Sequence, residues 1–518
     1  MFLHTNWLLK GIFTVFIIII SILAFLVRGY YLDLFPLNHD EINGSLRCIE
    51  NFDKFLGIPV TCFKGYIQPL FSYLLIFSRK LFSVPEFIVR MPAVILGTFT
   101  VLLIYLVTKE IYDKKIALTS AIILCFLPWH VLQSRIGVSA ILVPLVGCLI
   151  FYILFLSLKK KSNLLFILSW FCLSIGAFYT YQSSLFYILI FIFGLFFLRK
   201  EFIWLKPKII LISILSFLIV LFPLFYLQML GKIDLISNFY RYYHRNPFQG
   251  NIFENFKNNV KNNAIVALKS LFWNSNGIML YGAAFKSPLL INPITFILIL
   301  FVLLFSIYKH TTADKVIIIW LCIGFLGSLT MVNFFQPRYL IIILVPLVII
   351  IGKSLVMIFK YISNYNFLKF LFIIFCASLV FIEFFQLWNY YKIAPTNLEE
   401  CRRNSYGCKE AAKFLASLSD VENYYIKPDF RMTVCGYLKY FTNKTINCDI
   451  LGNPTFVIVW APESHPKDYW QGYFRQMYEY LKHKYPDNEP IKTIFYPNGI
   501  PALYIFRLEK DVLKNEKQ

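Results

Sequence analysis

The sequence predicts a mainly α, polytopic membrane protein of about eleven spans, followed by a small α/β unit. Three observations carry that reading. Hydrophobic residues make up 58% of the chain and charged residues 15%, whereas a soluble domain runs nearer one quarter charged. Apolar stretches rich in Phe, Ile and Leu recur, long enough to cross the hydrocarbon core, and backbone inside lipid must be helical. Residues 391–518, by contrast, are mixed in polarity.

The spans are placed near 8–30, 87–108, 115–132, 138–158, 163–181, 184–198, 208–229, 289–308, 315–332, 338–357 and 369–389. The run from Trp7 to Tyr31 is too long for the apolar part of a signal peptide, and no small-residue cleavage site follows it, so it counts as the first span. Ile67 to Phe82 is apolar but short and carries Arg79 and Lys80 near its end. It is expected to lie in the interface or to re-enter, not to span.

Short connections alternate in charge. One set holds Lys109, Lys114, Lys115, then Lys159 to Lys161, then Arg199, Lys200, Lys206 and Lys208, then Lys309 and Lys315, and finally Lys353, Lys360 and Lys369. The other holds single arginines such as Arg135 and Arg338. The positive-inside rule makes the lysine set cytoplasmic. That puts the N-terminus inside and the tail outside, as for a multi-pass plasma-membrane protein. The same rule absorbs much of the net charge of +22, and no basic run interleaved with aromatics points to nucleic acid. The division is then a membrane unit, 1–390, with outer loops 32–86 and 231–288, and an outer α/β unit, 391–518. In that unit Thr455–Trp460 and Ala502–Arg507 read as strands, and Cys408–Ser417 and Tyr469–Lys484 as helices. Of eleven cysteines, six (Cys48, Cys62, Cys401, Cys408, Cys435 and Cys448) fall in outer segments. Disulfides within the loop and within the tail are expected there, with three connectivities open for the tail.

The sharpest chemical feature follows the first span: Pro36-Leu37-Asn38-His39-Asp40-Glu41. Adjacent carboxylates at a membrane surface repel each other and suit a base, a cation site or a buried pair. Arg28, Arg90, Arg135 and Arg338 stand at outer ends of spans. Charge at that depth is costly unless paired, and guanidinium suits phosphate. The set reads as an anionic headgroup site facing a carboxylate. A sugar on a lipid phosphate would use both: arginines for charge developing on the leaving phosphate, a carboxylate for the acceptor hydroxyl. Neither Gly-x-Gly-x-x-Gly nor a complete Gly-x-x-x-x-Gly-Lys-Ser/Thr phosphate loop occurs. A transporter or flippase for an anionic lipid-linked substrate is the alternative. It would place ionisable groups deep in the helices, and here the middles of the spans are nearly free of charge.

These residues resemble a family. Asp40–Glu41, RMPAVILGTFTVLLIYLV (Arg90–Val107), LPWHVLQSRIGVSAILVPL (Leu127–Leu145), YTYQSS (Tyr179–Ser184) and QPRYLIIILVPL (Gln336–Leu347) stand in the order found in GT-C glycosyltransferases of the family 39 type. These include protein O-mannosyltransferases and lipid A aminoarabinose transferases. The resemblance spans about residues 20–350. It implies the GT-C fold, a polyprenyl-phosphate sugar donor and inverting transfer on the outer face to a protein, glycolipid or cell-surface glycan. It implies Asp40 as catalytic base or acceptor-binding residue with Glu41 beside it in the catalytic site, and Arg28, Arg135 and Arg338 on the donor phosphate; Arg90 joins them by its place at the outer end of a span. His39, Lys64, Tyr181, Gln182 and Tyr339 are the further substrate-binding candidates. No metal ligand set is assigned, and one acidic pair is thin for a hard cation, so a divalent ion stays an open alternative.

Overall fold

The computed structural model describes residues 2–46, 61–63, 66–67, 69–231, 252–272, 311–330, 337–397, 401, 406–421, 423–428, 434–442, 444–448, 456–464 and 471–508. Helix α1 is Phe2–Gly29. A one-turn helix, His39–Glu41, and a π-helical turn, Ile42–Leu46, follow. Strands β1 (Thr61–Phe63) and β2 (Tyr66–Ile67) form a small antiparallel pair. Next come α2 (Pro69–Leu81), α3 (Pro85–Ile111), α4 (Lys114–Phe126), α5 (Pro128–Gln133), α6 (Leu142–Lys160), α7 (Asn163–Tyr179), α8 (Phe186–Leu198) and α9 (Pro207–Met229). The series continues with α10 (Ile252–Phe272), α11 (Thr312–Leu329), α12 (Leu344–Ile362) and α13 (Asn366–Ile393). Among the described residues six helices are long and apolar enough to cross a membrane, with two shorter apolar ones beside them. The chain is a multi-pass membrane protein. The span expected at 289–308 lies outside the described residues.

Two expectations are refined. The span expected over 115–132 is broken at Pro128. Proline has no N–H to give the carbonyl four residues back, so α4 stops at Phe126 and α5 restarts with proline in its first turn. Ile67–Phe82 contains the 13-residue α2, about 20 Å long at 1.5 Å per residue and too short to span. Phe71 and Leu75 pack it onto Ile88 and Ala93 of α3. Helix α10 sits inside the expected 231–288 loop and was not foreseen. Val260, Ala264, Ala267 and Leu271 form its core stripe, and the Asn263 amide donates to the Leu329 carbonyl at 2.9 Å.

The lysine-bearing helix ends gather at one end of the bundle. Lys159 of α6 pairs with Glu110 of α3 at 2.8 Å. Asp314, at the start of α11, accepts from Tyr112 at 2.5 Å and pairs with Lys353 of α12. Lys353 is thus no exposed topology signal: its ammonium is mostly buried and neutralised inside the bundle.

The tail folds onto the opposite end. Helices α14 (Cys408–Ala416), α15 (Val434–Phe441) and α16 (Gln471–Lys484) flank a five-stranded sheet. Its strands are β3 (Asn423–Pro428), β4 (Thr445–Cys448), β5 (Phe456–Trp460), β6 (Lys492–Phe495) and β7 (Pro501–Arg507), in the order β4-β3-β5-β7-β6. β3 is parallel to β4 and β5, and β7 is antiparallel to β5 and β6. Alternate residues of β5 enter two cores. Val457 and Val459 meet Leu481 of α16. Phe456, Ile458 and Trp460 join a core that also holds Phe35, Leu37, Ile42 and Val89 from the membrane unit. Period-2 side-chain alternation explains why β5 is buried throughout. Cys435 is disulfide-bonded.

Candidate active site

The site is built on the return of the chain after α1. Tyr31 takes a left-handed conformation, φ +47°, which bends the backbone out of the helix. Asn38 then starts the one-turn helix as one half of a capping box. Its side-chain oxygen accepts from Glu41 N–H at 3.0 Å, and Glu41 Oε2 accepts from Asn38 N–H at 3.0 Å. That is the reciprocal geometry of Asn-x-x-Glu at a helix start.

A turn of about 100° per residue sends the adjacent carboxylates in different directions. Glu41 is fully buried, whereas the Asp40 side chain is 41% exposed. Glu41 receives the fork of Arg90, Nε to Oε1 and Nη2 to Oε2, both at 2.8 Å. The Gly137 N–H at 2.9 Å and the Asn38 side-chain amide at 2.8 Å complete its shell. The remaining Arg90 protons go to the carbonyls of Leu32, Phe35 and Pro36 at 2.7–2.9 Å. All five guanidinium donors are therefore used. Glu41 and Arg90, expected as a catalytic and a phosphate-binding residue, instead form a clasp that holds the 32–41 loop against α3.

Gly137 must lie flat for this. A Cβ there would sit 2.2 Å from Val89 Cγ1 and 2.4 Å from the Val89 carbonyl oxygen. Gly137→Ala is expected to lift the turn from α3 and destabilise the fold by about 1–3 kcal/mol, as overpacking does. Thermal unfolding of the purified variant checks this.

Arg28 and Arg135 also serve the frame. Arg28 is fully buried and donates to the Leu124 and Cys125 carbonyls at 3.0 and 3.1 Å. Those carbonyls are left without helix partners by the break at Pro128. A third bond goes to the Ala24 carbonyl at 3.0 Å, and the fourth, to His130 Nδ1 at 2.8 Å, explains the histidine of the Pro-Trp-His stretch. Arg135 caps the C-terminal end of α1. Its guanidinium donates to the carbonyls of Arg28 at 2.8 Å, Tyr31 at 2.6 Å and Tyr30, and lies over the Tyr391 ring. A cation at a helix C-terminus is favoured there. The expectation that Arg28, Arg90 and Arg135 hold a phosphate is corrected on the same ground: their hydrogen-bonding capacity is largely spent on backbone and on Glu41. Arg90 and Arg135 still line one small cavity with Asn38 and Tyr390.

Arg338 differs. It stands in the 3₁₀ turn Pro337–Ile343 leading into α12, and its Nη1 donates to Asp40 Oδ2 at 2.8 Å. This pair joins residues 298 positions apart and is partly open. Beside it the Tyr339 ring stacks on Tyr181 at 6.5 Å between centroids, 24° apart. Gln182 opens the next 3₁₀ turn with its side-chain oxygen buried and unbonded. Arg338 thus meets Asp40, Tyr339 meets Tyr181, and the turn opened by Gln182 packs against the turn that carries Arg338 and Tyr339. The His39 side chain and Lys64 lie outside the described residues. Among the described residues no group of three His, Cys, Asp or Glu side chains comes together, and the divergent doublet does not present two carboxylates to one cation.

Sequence reasoning missed Asn38, Gly137, Glu86 and Tyr437 as builders of the site. The Asn-x-x-Glu spacing was a readable signal for the first. Tyr437 was not readable, since its hydroxyl meets Leu37 N–H across 400 positions.

With this geometry in view, residues 67–226 match the sequence profile of the family described as dolichyl-phosphate-mannose-protein mannosyltransferase. No curated protein matches the chain significantly by sequence. The fold is similar to ArnT of Cupriavidus metallidurans in the apo state, at TM-score 0.61 and 10% identity, covering 97% of this chain and 98% of that one. The same protein bound to undecaprenyl phosphate superposes at TM-score 0.57 with 11% identity, covering 96% and 98%. The archaeal oligosaccharyltransferase AglB of Archaeoglobus fulgidus, in complex with an inhibitory peptide and a dolichol-phosphate, gives TM-score 0.57 and 11% identity over 97% of this chain and 75% of that one. The chain therefore has the GT-C fold of membrane glycosyltransferases. Within that fold, the stretch Ile67–Tyr226 carries the mannosyltransferase-type sequence pattern.

Proposed function

We propose that the protein transfers a sugar from a polyprenyl-phosphate donor to an acceptor hydroxyl at the outer face of the membrane. The acceptor would be a protein, glycolipid or cell-surface glycan, and the N-terminus would be cytoplasmic. One observation carries the reading. Asp40 and Arg338, a half-open carboxylate and a guanidinium, meet at the end of a GT-C bundle opposite its lysine-rich end. The bound lipid phosphates of ArnT and AglB support the donor class.

The chemistry follows from the charges. The acceptor O–H donates to the open side of Asp40. As its oxygen attacks the anomeric carbon, the proton passes to the carboxylate. The bond from that carbon to the phosphate oxygen breaks, and its electron pair leaves with the lipid phosphate. Arg338 supplies positive charge where negative charge grows. Of the stacked tyrosines Tyr181 is buried in the core and Tyr339 is partly exposed, so Tyr339 is the ring that could meet a sugar face.

The test is incubation of purified protein with a panel of polyprenyl-phosphate hexoses and pentoses, following release of polyprenyl phosphate, with nucleotide sugars as controls. Release from at least one lipid donor and none from nucleotide sugars is expected. The reverse pattern defeats the proposal. Arg338→Ala is expected to lower kcat on the order of 10²-fold, the loss seen when one preorganised donor is removed. Steady-state kinetics on the preferred donor measures it.

A further inference from the structure

Besides the shared apolar core, a buried hydroxyl of the tail reaches the Asp40 loop. Tyr437, fully buried on α15, accepts from Leu37 N–H at 2.5 Å and donates to Glu86 Oε1 at 2.7 Å. Leu37 lies three residues before Asp40. Glu86 is also fully buried, in the first turn of α3, where the helix dipole favours an acid. Lys409 of α14 supplies its countercharge at 2.8 Å. Burial, and then the Glu86 carboxylate, push the Tyr437 hydroxyl well above its usual range. It therefore stays protonated and can both donate and accept. The neighbouring surface is closely fitted: a Cβ on Gly436 would lie 2.4 Å from Ile42 Cγ2. Tyr440, one turn along, donates to the Ser83 carbonyl.

We propose that Tyr437 is a positioning residue, its hydroxyl fixing the loop that carries Asp40 by bridging the Leu37 main chain to Glu86. The proposal rests on the reading of Asp40 given above. A bond to main-chain N–H sets backbone position directly, and the Glu86–Lys409 pair makes the tail a fixed support rather than an independent appendage. Removing the hydroxyl leaves a buried N–H without its acceptor, which the loop can satisfy only by opening to water.

The test compares full-length wild type, Tyr437→Phe and Tyr424→Phe. Tyr424 is the matched control. Its hydroxyl is buried in the tail on the Leu415 carbonyl at 2.6 Å, away from the loop. Amide hydrogen exchange is followed over 34–46 and over β5, beside kcat and donor KM. In Tyr437→Phe, exchange at 34–46 is expected to rise about tenfold or more over both other proteins. Turnover should fall on the order of 10–100-fold with donor KM within about threefold, since orientation of a reacting group weighs on kcat. Loop exchange no faster than in Tyr424→Phe overturns the proposal, even where the tail has loosened in both. A loosened loop with unchanged turnover overturns it as well. Wild type inert on every donor sinks the sugar-transfer reading alone, and the exchange comparison then decides the clamp.

Discussion

Asp40→Asn is expected to lower turnover by about 10²–10⁴-fold, the range a positioned general base contributes. The amide keeps the shape of the carboxylate and can still accept from Arg338, but it cannot take a proton. Donor binding should survive, because the lipid phosphate is met by positive charge and not by Asp40. Stability should change little. The Asp40 side chain is 41% exposed, and partly solvated ion pairs are worth about 0–1 kcal/mol. Single-turnover kinetics together with donor titration separates these terms. Turnover close to wild type would remove Asp40 from the chemistry.

Arg90→Ala is expected to have the opposite signature. It strips the fully buried Glu41 of its countercharge and leaves the Leu32, Phe35 and Pro36 carbonyls without donors. Breaking a buried pair from one side destabilises by about 3–5 kcal/mol. Thermal unfolding in detergent should show a large drop, and proteolysis should cut first between residues 32 and 46. Replacing both partners by apolar residues should recover part of the loss, since no charge is then left buried alone. An unchanged melting temperature in Arg90→Ala would mean that the clasp does not hold the loop.

Much of the frame was legible because membrane insertion rests on one-dimensional signals. Apolar length located most of the helices, and alternating lysines sorted the bundle ends. Lys159–Glu110 and Asp314–Lys353 lie at one end, and Asp40–Arg338 at the other. Strands β5 and β7 were readable from their short apolar runs, whereas β3, β4 and β6 are shorter or more polar. Helix α10 was hidden because Asn and Lys interrupt its first half, so no apolar run there is long enough to read as a span. The acidic doublet and Arg338 were legible as candidates, but the work of Arg28, Arg90 and Arg135 was not. Sequence gives the depth of an arginine but not the carbonyls that await it, and those carbonyls arise from a proline break and a helix end in three dimensions. Tyr437 was illegible for a related reason, since its partners lie in the first loop and at the start of α3.

The most direct measurement is a paired comparison of Asp40→Asn with Glu41→Gln, scoring turnover and melting temperature on the same preparations. Neighbouring carboxylates with separate duties predict crossed results. The first variant should lose turnover at an unchanged melting temperature, and the second should melt markedly lower. Should Glu41→Gln fold as wild type yet fail to turn over, while Asp40→Asn stays active, the assignment of the reactive carboxylate is contradicted.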